Sequence, residues 1–146
     1  MKAFSTIMLI ITLAFWSCDE TKKVIDVAGN VQLSGTYTVQ TMEGAEIVAD
    51  KNPSITFMAL DKSVRGNTGC NSFFGKYTLD LYALGFNEIA STEMACDTDI
   101  MSAEVAFLNA LNATGSYTLQ RNELTLYSAN DRSVLLTAIK DRNETE

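Results

Sequence analysis

The chain has 146 residues, of which 47% are hydrophobic, 20% are charged and one is proline, a composition that fits one packed domain and excludes a disordered or collagen-like polymer. A formal charge of −7, with no segment concentrating Lys and Arg, excludes the basic surface that nucleic acid needs. The absence of histidine removes the commonest general base and transition-metal ligand, and with it every Ser-His, Cys-His and His-metal mechanism.

At the N-terminus, Met1-Lys2 precedes an apolar run from Ile7 to Trp16 that only Thr12 interrupts, followed by Ser17-Cys18-Asp19-Glu20. The run is about half the roughly 20 residues of a membrane span and has the length of a signal-peptide core. Residues 1–17 are therefore expected to be a cleaved secretory signal. A small residue followed by cysteine resembles a bacterial lipobox, in which cleavage makes the cysteine N-terminal and acyl chains such as palmitate are attached to it. Cys18 is then the lipidation site; an ordinary signal peptide cut nearby, with Cys18 left as a spare thiol, is the alternative. Three cysteines are an odd number for an exported chain, and assigning Cys18 to lipid leaves Cys70 and Cys96 as a pair. Removing Lys2 with the signal moves the charge from −7 to −8. Anionic lipid attracts basic segments, so an acidic domain needs acyl chains to hold it at a membrane.

Residues 18–30 read as lipidated cysteine and tether, 31–140 as one domain without linker or internal repeat, and 141–146 as a flexible tail. Strand signals dominate the domain. Leu33, Tyr37 and Val39 alternate, as do Ile55, Phe57 and Ala59, and Phe73, Phe74, Tyr77 and Leu79 follow. Further on, 117–120 and 123–127 flank Arg121-Asn122, a tight hairpin in which Asn is suited to positive φ, and 133–139 supply a last strand. Between them, Ile100, Ala103, Phe107, Leu108 and Leu111 recur at three- and four-residue spacing, the mark of an amphipathic helix. Asp97, Thr98 and Asp99 suit its N-terminus and Gly115 its end. The expected class is α+β, mainly β: a curved antiparallel sheet or open barrel packed on a single α-helix.

The segment from Gly66 to Tyr77 and the segment Ser91-Thr92-Glu93-Met94-Ala95-Cys96 carry the sharpest motifs. A disulfide between Cys70 and Cys96 would add stability to a modest core, with two buried reduced thiols as the alternative. Redox chemistry generally wants Cys-x-x-Cys and structural zinc wants four ligands. Gly66, Gly69 and Gly75 lack the Lys-Ser/Thr of a phosphate loop and fit tight turns or bulges. Glu93, Asp97, Asp99 and Glu104 surround Cys96 in sequence, but Asp97-x-Asp99 lacks the spacing of a calcium loop and fits capping. Glu104 shares a face with Ile100, Phe107 and Leu108, so if buried it needs a partner, taken to be backbone or arginine. As an enzyme, the chain would have these carboxylates alone to work with. The aromatics fit a core, and could also line a groove between sheet and helix.

Taken together, Gly66 with Gly69-Cys70-Asn71, Gly75 and Tyr77, then Thr92-x-Met94-Ala95-Cys96, then Glu104-x-x-Phe107-x-x-x-Leu111, then Tyr117-x-Leu119 and Leu124-x-Leu126 resemble the META domain family, which includes heat-shock lipoproteins of the HslJ type. Gly35-Thr36-Tyr37 stands where the family commonly opens with a tryptophan strand, and Asp97 where it often has a proline after the second cysteine. The resemblance implies a β-rich fold with one helix, a bacterial cell-envelope location and a link to stress response or antibiotic tolerance, and it brings no established active site. The expectation is a non-catalytic, monomeric protein anchored by lipid in the inner or outer membrane, with no cofactor or metal, no nucleic acid, and an envelope protein as partner. A carrier or pilotin-like module holding an acyl chain or apolar peptide is the alternative.

Overall fold

Among the described residues, apolar side chains at a period of two lay down nine strands: β1 (Gly35–Met42), β2 (Ala45–Glu46), β3 (Ser54–Met58), β4 (Ser63–Asn67), β5 (Ser72–Asp80), β6 (Ala83–Ser91), β7 (Thr114–Gln120), β8 (Glu123–Ser128) and β9 (Val134–Lys140). Helix α1 covers 27–33 and helix α2 covers Thr98–Ala113. The computed structural model describes residues 27–47 and 52–142. The expected signal segment, Cys18, most of the tether and the end of the tail lie outside the described residues.

Neighbouring strands pair antiparallel in the order β2-β1-β3-β4-β5-β6-β7-β8-β9, and β1 also pairs with β9, from Tyr37 opposite Lys140 to Met42 opposite Leu136. That last pairing closes the sheet. The result is an eight-stranded antiparallel barrel, with β2 a two-residue flap on the end of β1. It is neither an open barrel nor a sheet on a single helix. Closure removes the edges that an open sheet would expose, and among the described residues α1 is a second helix. Leu33, expected in a strand, is a fully buried residue of α1, and Gly35 at φ +124° turns the chain from that helix into β1.

Register follows the alternation most cleanly in β5, where Phe73, Gly75, Tyr77 and Leu79 face inward and their neighbours face out. Gly75 marks a shift in the β5–β6 register, and a Cβ there would come within 2.5 Å of Ile89 Cδ1. The bulge therefore needs glycine. The β7–β8 hairpin turns at Arg121-Asn122 as expected, but positive φ falls on Arg121, at 57°, and not on asparagine. Gly115 does not end α2: Thr114 does, its hydroxyl donating to the Ala110 carbonyl at 2.8 Å, while Gly115 lies within β7. Only Ala83 and Ser116 pair β6 to β7, because α2 is inserted between these two strands.

Inside the barrel, aromatic rings meet edge to face, Tyr37 with Phe57 at 5.9 Å, Phe57 with Tyr77 at 5.3 Å, and Phe73 with Phe107 of α2 at 5.4 Å. The Tyr37 hydroxyl is fully buried without a hydrogen-bond partner among the described residues, and burial pushes its pKa well up. A desolvated, unpaired hydroxyl costs roughly 1–3 kcal/mol. Tyr37→Phe is accordingly expected to raise stability by about 1 kcal/mol, read as a higher denaturation midpoint at unchanged slope; a fall in the midpoint would contradict the unpaired assignment.

One short pattern, Ala-x-Asp-Lys/Arg-Ser-Val, occurs twice, as Ala59-Leu60-Asp61-Lys62-Ser63-Val64 and Ala129-Asn130-Asp131-Arg132-Ser133-Val134. It makes the same turn each time. Ser63 Oγ donates to Asp61 Oδ1 at 2.7 Å and Ser133 Oγ to Asp131 Oδ1 at 2.8 Å, with Lys62 and Arg132 at φ 51° and 60°. These bonds, the serine hydroxyls first, hold both carboxyls below the usual aspartate range. A lowered native value means that the stabilisation is complete above the unfolded aspartate range and is lost as pH falls through the lowered values. Ser63→Ala and Ser133→Ala are expected to move each carboxyl part of the way back up, the backbone N–H bonds of residues 63 and 133 remaining, followed by NMR, and to flatten the acid limb of the stability profile.

Candidate functional site

The motif residues gather at the end of the barrel covered by α2. Residues 68–71 turn the chain between β4 and β5, with Gly69 at φ +104°, a conformation that side-chain-bearing residues rarely adopt. Asn67 Oδ1 accepts from the Gly69 N–H at 2.7 Å, and the Thr68 hydroxyl accepts from the Asn71 N–H at 2.9 Å. This local bonding aims the Asn71 side chain inward, where it is 1% exposed.

Asn71 is fully used. Its Oδ1 accepts from the Thr92 hydroxyl at 2.7 Å and the Met94 N–H at 2.8 Å, while its Nδ2 donates to the Met94 carbonyl at 3.2 Å and to Glu104 at 3.0 Å. One side-chain amide thus takes both polar groups of the Met94 backbone, as a neighbouring strand would, and fixes the loop between β6 and α2. The Thr92 hydroxyl in turn accepts from the Ser72 N–H at 3.2 Å.

Glu104 arrives from α2 with 7% exposure, and its carboxylate accepts from Thr68 Oγ1 at 2.5 Å and from Asn71 Nδ2. Neither backbone nor arginine supplies the partner that its burial demands; a hydroxyl and an amide do. Charge-assisted bonds of this kind are about twice as strong as neutral ones, which matters where no cation compensates the charge. Asn71→Ala therefore strips a buried carboxylate and a loop together.

Beside this network, Cys70 and Cys96 form a disulfide with Cα atoms 6.2 Å apart, tying the β4–β5 turn to the entry of α2. Of the two readings of this pair, the disulfide holds and the buried thiols do not. Tyr77, Phe107 and Leu111 belong to the core, whereas the side chains of Met94 and Ala95 face solvent. Glu93, Asp97 and Asp99 are exposed and apart from Glu104, and Asp97 occupies the N-cap of α2 without a side-chain capping bond. Among the described residues no group of three His, Cys, Asp or Glu gathers as a metal site. Thr68 escaped the sequence reading, since a lone threonine beside a glycine turn carries no signal of a buried carboxylate opposite.

What the arrangement does chemically is bind one part of the fold to another: an eight-stranded barrel whose helix α2 is held on by a disulfide and by a buried amide-carboxylate network. The META domain family model matches residues 30–141, and the chain belongs to the META domain family. Three solved structures share the fold. An NMR structure of a protein from Burkholderia xenovorans has a TM-score of 0.64 and 22% identity, over 80% of this chain and 88% of that one. A second NMR structure has a TM-score of 0.61 and 24% identity over 76% and 93%. A crystal structure of a DUF4847 family protein from Bacteroides vulgatus has a TM-score of 0.56 and 17% identity over 80% and 99%. No curated protein matches the chain.

Proposed function

We propose that this protein is a non-catalytic, lipid-anchored component of the bacterial cell envelope that supports tolerance of envelope stress by binding another envelope component. The observation that carries the setting is the division of the cysteines. Cys70 and Cys96 are joined, and Cys18, at the end of an apolar run of signal-peptide length, is left for the lipid. The binding role is supported by the inward use of the motif side chains: Asn71 and Glu104 spend their polar atoms on the fold, so function falls to the surface that they hold in place. A carrier role draws no support from the aromatic residues, since Tyr37, Phe57, Tyr77 and Phe86 pack against one another.

Intact mass of the protein extracted from membranes tests the setting. Acyl chains on an N-terminal Cys18, and a gain of two hydrogens on reduction, are the expected result; an unacylated chain would end it. In-cell crosslinking under envelope stress is expected to recover a reproducible protein partner, and recovery of none would remove the binding role. A deletion strain is expected to lose viability under stress that the parent survives.

A further inference from the structure

The two ends of the barrel differ in chemistry. Because neighbouring strands run antiparallel, the β3–β4, β5–β6 and β7–β8 turns, the start of β1 and the end of β9 share one rim, the rim that α1 covers. A hollow of about 730 Å³ lined by Val31, Gly35, Ala59, Asn122 and Arg142 brings together α1, the start of β1, the β3–β4 and β7–β8 turns and the end of β9, while Tyr82 of the β5–β6 turn lines a separate hollow with Tyr117, Tyr127 and Arg132. Large apolar side chains stand outward along this rim: Leu60 fully exposed in the β3–β4 turn, Leu81 and Tyr82 at 57% and 75% in the β5–β6 turn, and Val27 and Val31 at 62% and 63% on α1. The α2 end also exposes Met94, Met101 and Val105, so what sets the α1 rim apart is that its apolar tips, Leu60, Leu81 and Tyr82, stand on turns among basic residues.

Turn geometry does not account for these residues. Leu81 sits at φ 55°, a left-handed conformation that glycine or asparagine adopts at less cost. Glu43 and Arg121 take the same left-handed φ in the other two-residue turns, so the backbone marks the turn type and the leucine side chain is what is particular to this one. Charge is polarised in the same direction. Lys62, Lys76, Arg121, Lys140 and Arg142 on this rim offset Asp61, Asp80, Glu123 and Asp141, whereas the far end carries Glu43, Glu46, Glu93, Asp97 and Asp99, with Asp131 and Arg132 of the β8–β9 turn cancelling each other. An anionic surface therefore repels the α1 end least. The chain also enters at this end: residues 19–26, which include Lys22 and Lys23, separate Cys18 from α1 and reach at most about 28 Å at ~3.5 Å per residue.

We infer that the α1 rim seats on the lipid surface that holds the Cys18 acyl chains, with Leu60, Leu81 and Tyr82 in the headgroup region and the acidic end turned away. The inference rests on the anchored reading above. Apolar tips flanked by bases, with a tyrosine among them, are the chemistry of an interfacial contact, and the short tether keeps the rim within reach.

The test uses the protein as extracted from membranes, with Cys18 at its N-terminus where processed, in vesicles of phosphatidylethanolamine and phosphatidylglycerol with brominated acyl chains. Leu60→Trp and Tyr82→Trp report on the rim and Met94→Trp on the opposite end; Trp16, where retained, contributes equally to all three. Loss of emission from Leu60→Trp and Tyr82→Trp, with Met94→Trp unaffected, is expected. Equal quenching at the three positions, or none, overturns the inference. Adding Leu81→Asn to Leu60→Trp is expected to raise the melting temperature and weaken the quenching, so a change in folding cannot mimic a change in seating; undiminished quenching in that variant counts against the rim. Intact mass on the same sample separates the two readings. An acylated protein without quenching leaves the anchor and removes the seat, while for an unacylated protein the anchor fails and quenching still decides for or against the rim.

Discussion

Asn71→Ala is expected to cost about 3–5 kcal/mol of unfolding free energy, the largest effect of any single polar substitution in the chain. The substitution removes both bonds to the Met94 backbone, the acceptor of the Thr92 hydroxyl and a donor to Glu104. Its cost comes less from the lost bonds, each worth about 1 kcal/mol net, than from leaving a carboxylate at 7% exposure with Thr68 as its one remaining partner. A double-mutant cycle with Glu104→Gln checks this mechanism, because once the charge is gone the amide has less to satisfy. The Asn71→Ala penalty is expected to shrink by at least 1 kcal/mol in the Glu104→Gln background, measured by urea unfolding; full additivity would mean that the two residues do not act as a unit.

Replacing both cysteines, as Cys70→Ser with Cys96→Ser, is expected to cost about 3.5 kcal/mol, the chain-entropy value for their separation of 26. For a domain of this size that lowers the melting temperature by about 15 °C. The two losses are expected to be more than additive when combined with Asn71→Ala. Both devices hold the same loop, and with either one present the loop between β6 and α2 remains docked. Reduction of the wild-type protein without mutation is expected to reproduce the cysteine effect, and a melting temperature indifferent to reductant would show that the bridge spans chain segments already fixed by other means.

Much of this architecture is legible in the sequence because it depends on local period. The inward alternation of Phe73, Tyr77 and Leu79 and the helical spacing of Phe107 and Leu111 each need a window of about ten residues. Closure is different. It joins Tyr37 to Lys140, and nothing near either residue distinguishes a paired edge from a free one. Helix α1 was hidden for a related reason: between residues 27 and 33 it buries Asn30 and Leu33, and a single apolar point among these defines no hydrophobic period. In the site, the motif residues Asn71, Cys70, Cys96 and Glu104 could be singled out by their resemblance to the family, and the need of Glu104 for a partner followed from its face on the helix. Which partner it takes depends on the β4–β5 turn passing over α2, a tertiary fact that places Thr68 opposite a residue 36 positions away.

The pairing of the first barrel strand with the last has a consequence for how the molecule comes into being. Thr38 donates to Asp141 across 103 positions of sequence, so the ring cannot close until the whole stretch from β1 to β9 has been delivered. Until then β1 and β8 each present an unpaired margin, and the nascent chain has sites for chaperone capture as well as for self-association. Completion in one late, long-range step places the folding time in the millisecond-to-second range of such topologies, and makes loss of even the last few residues of β9 a defect of assembly as much as of strength.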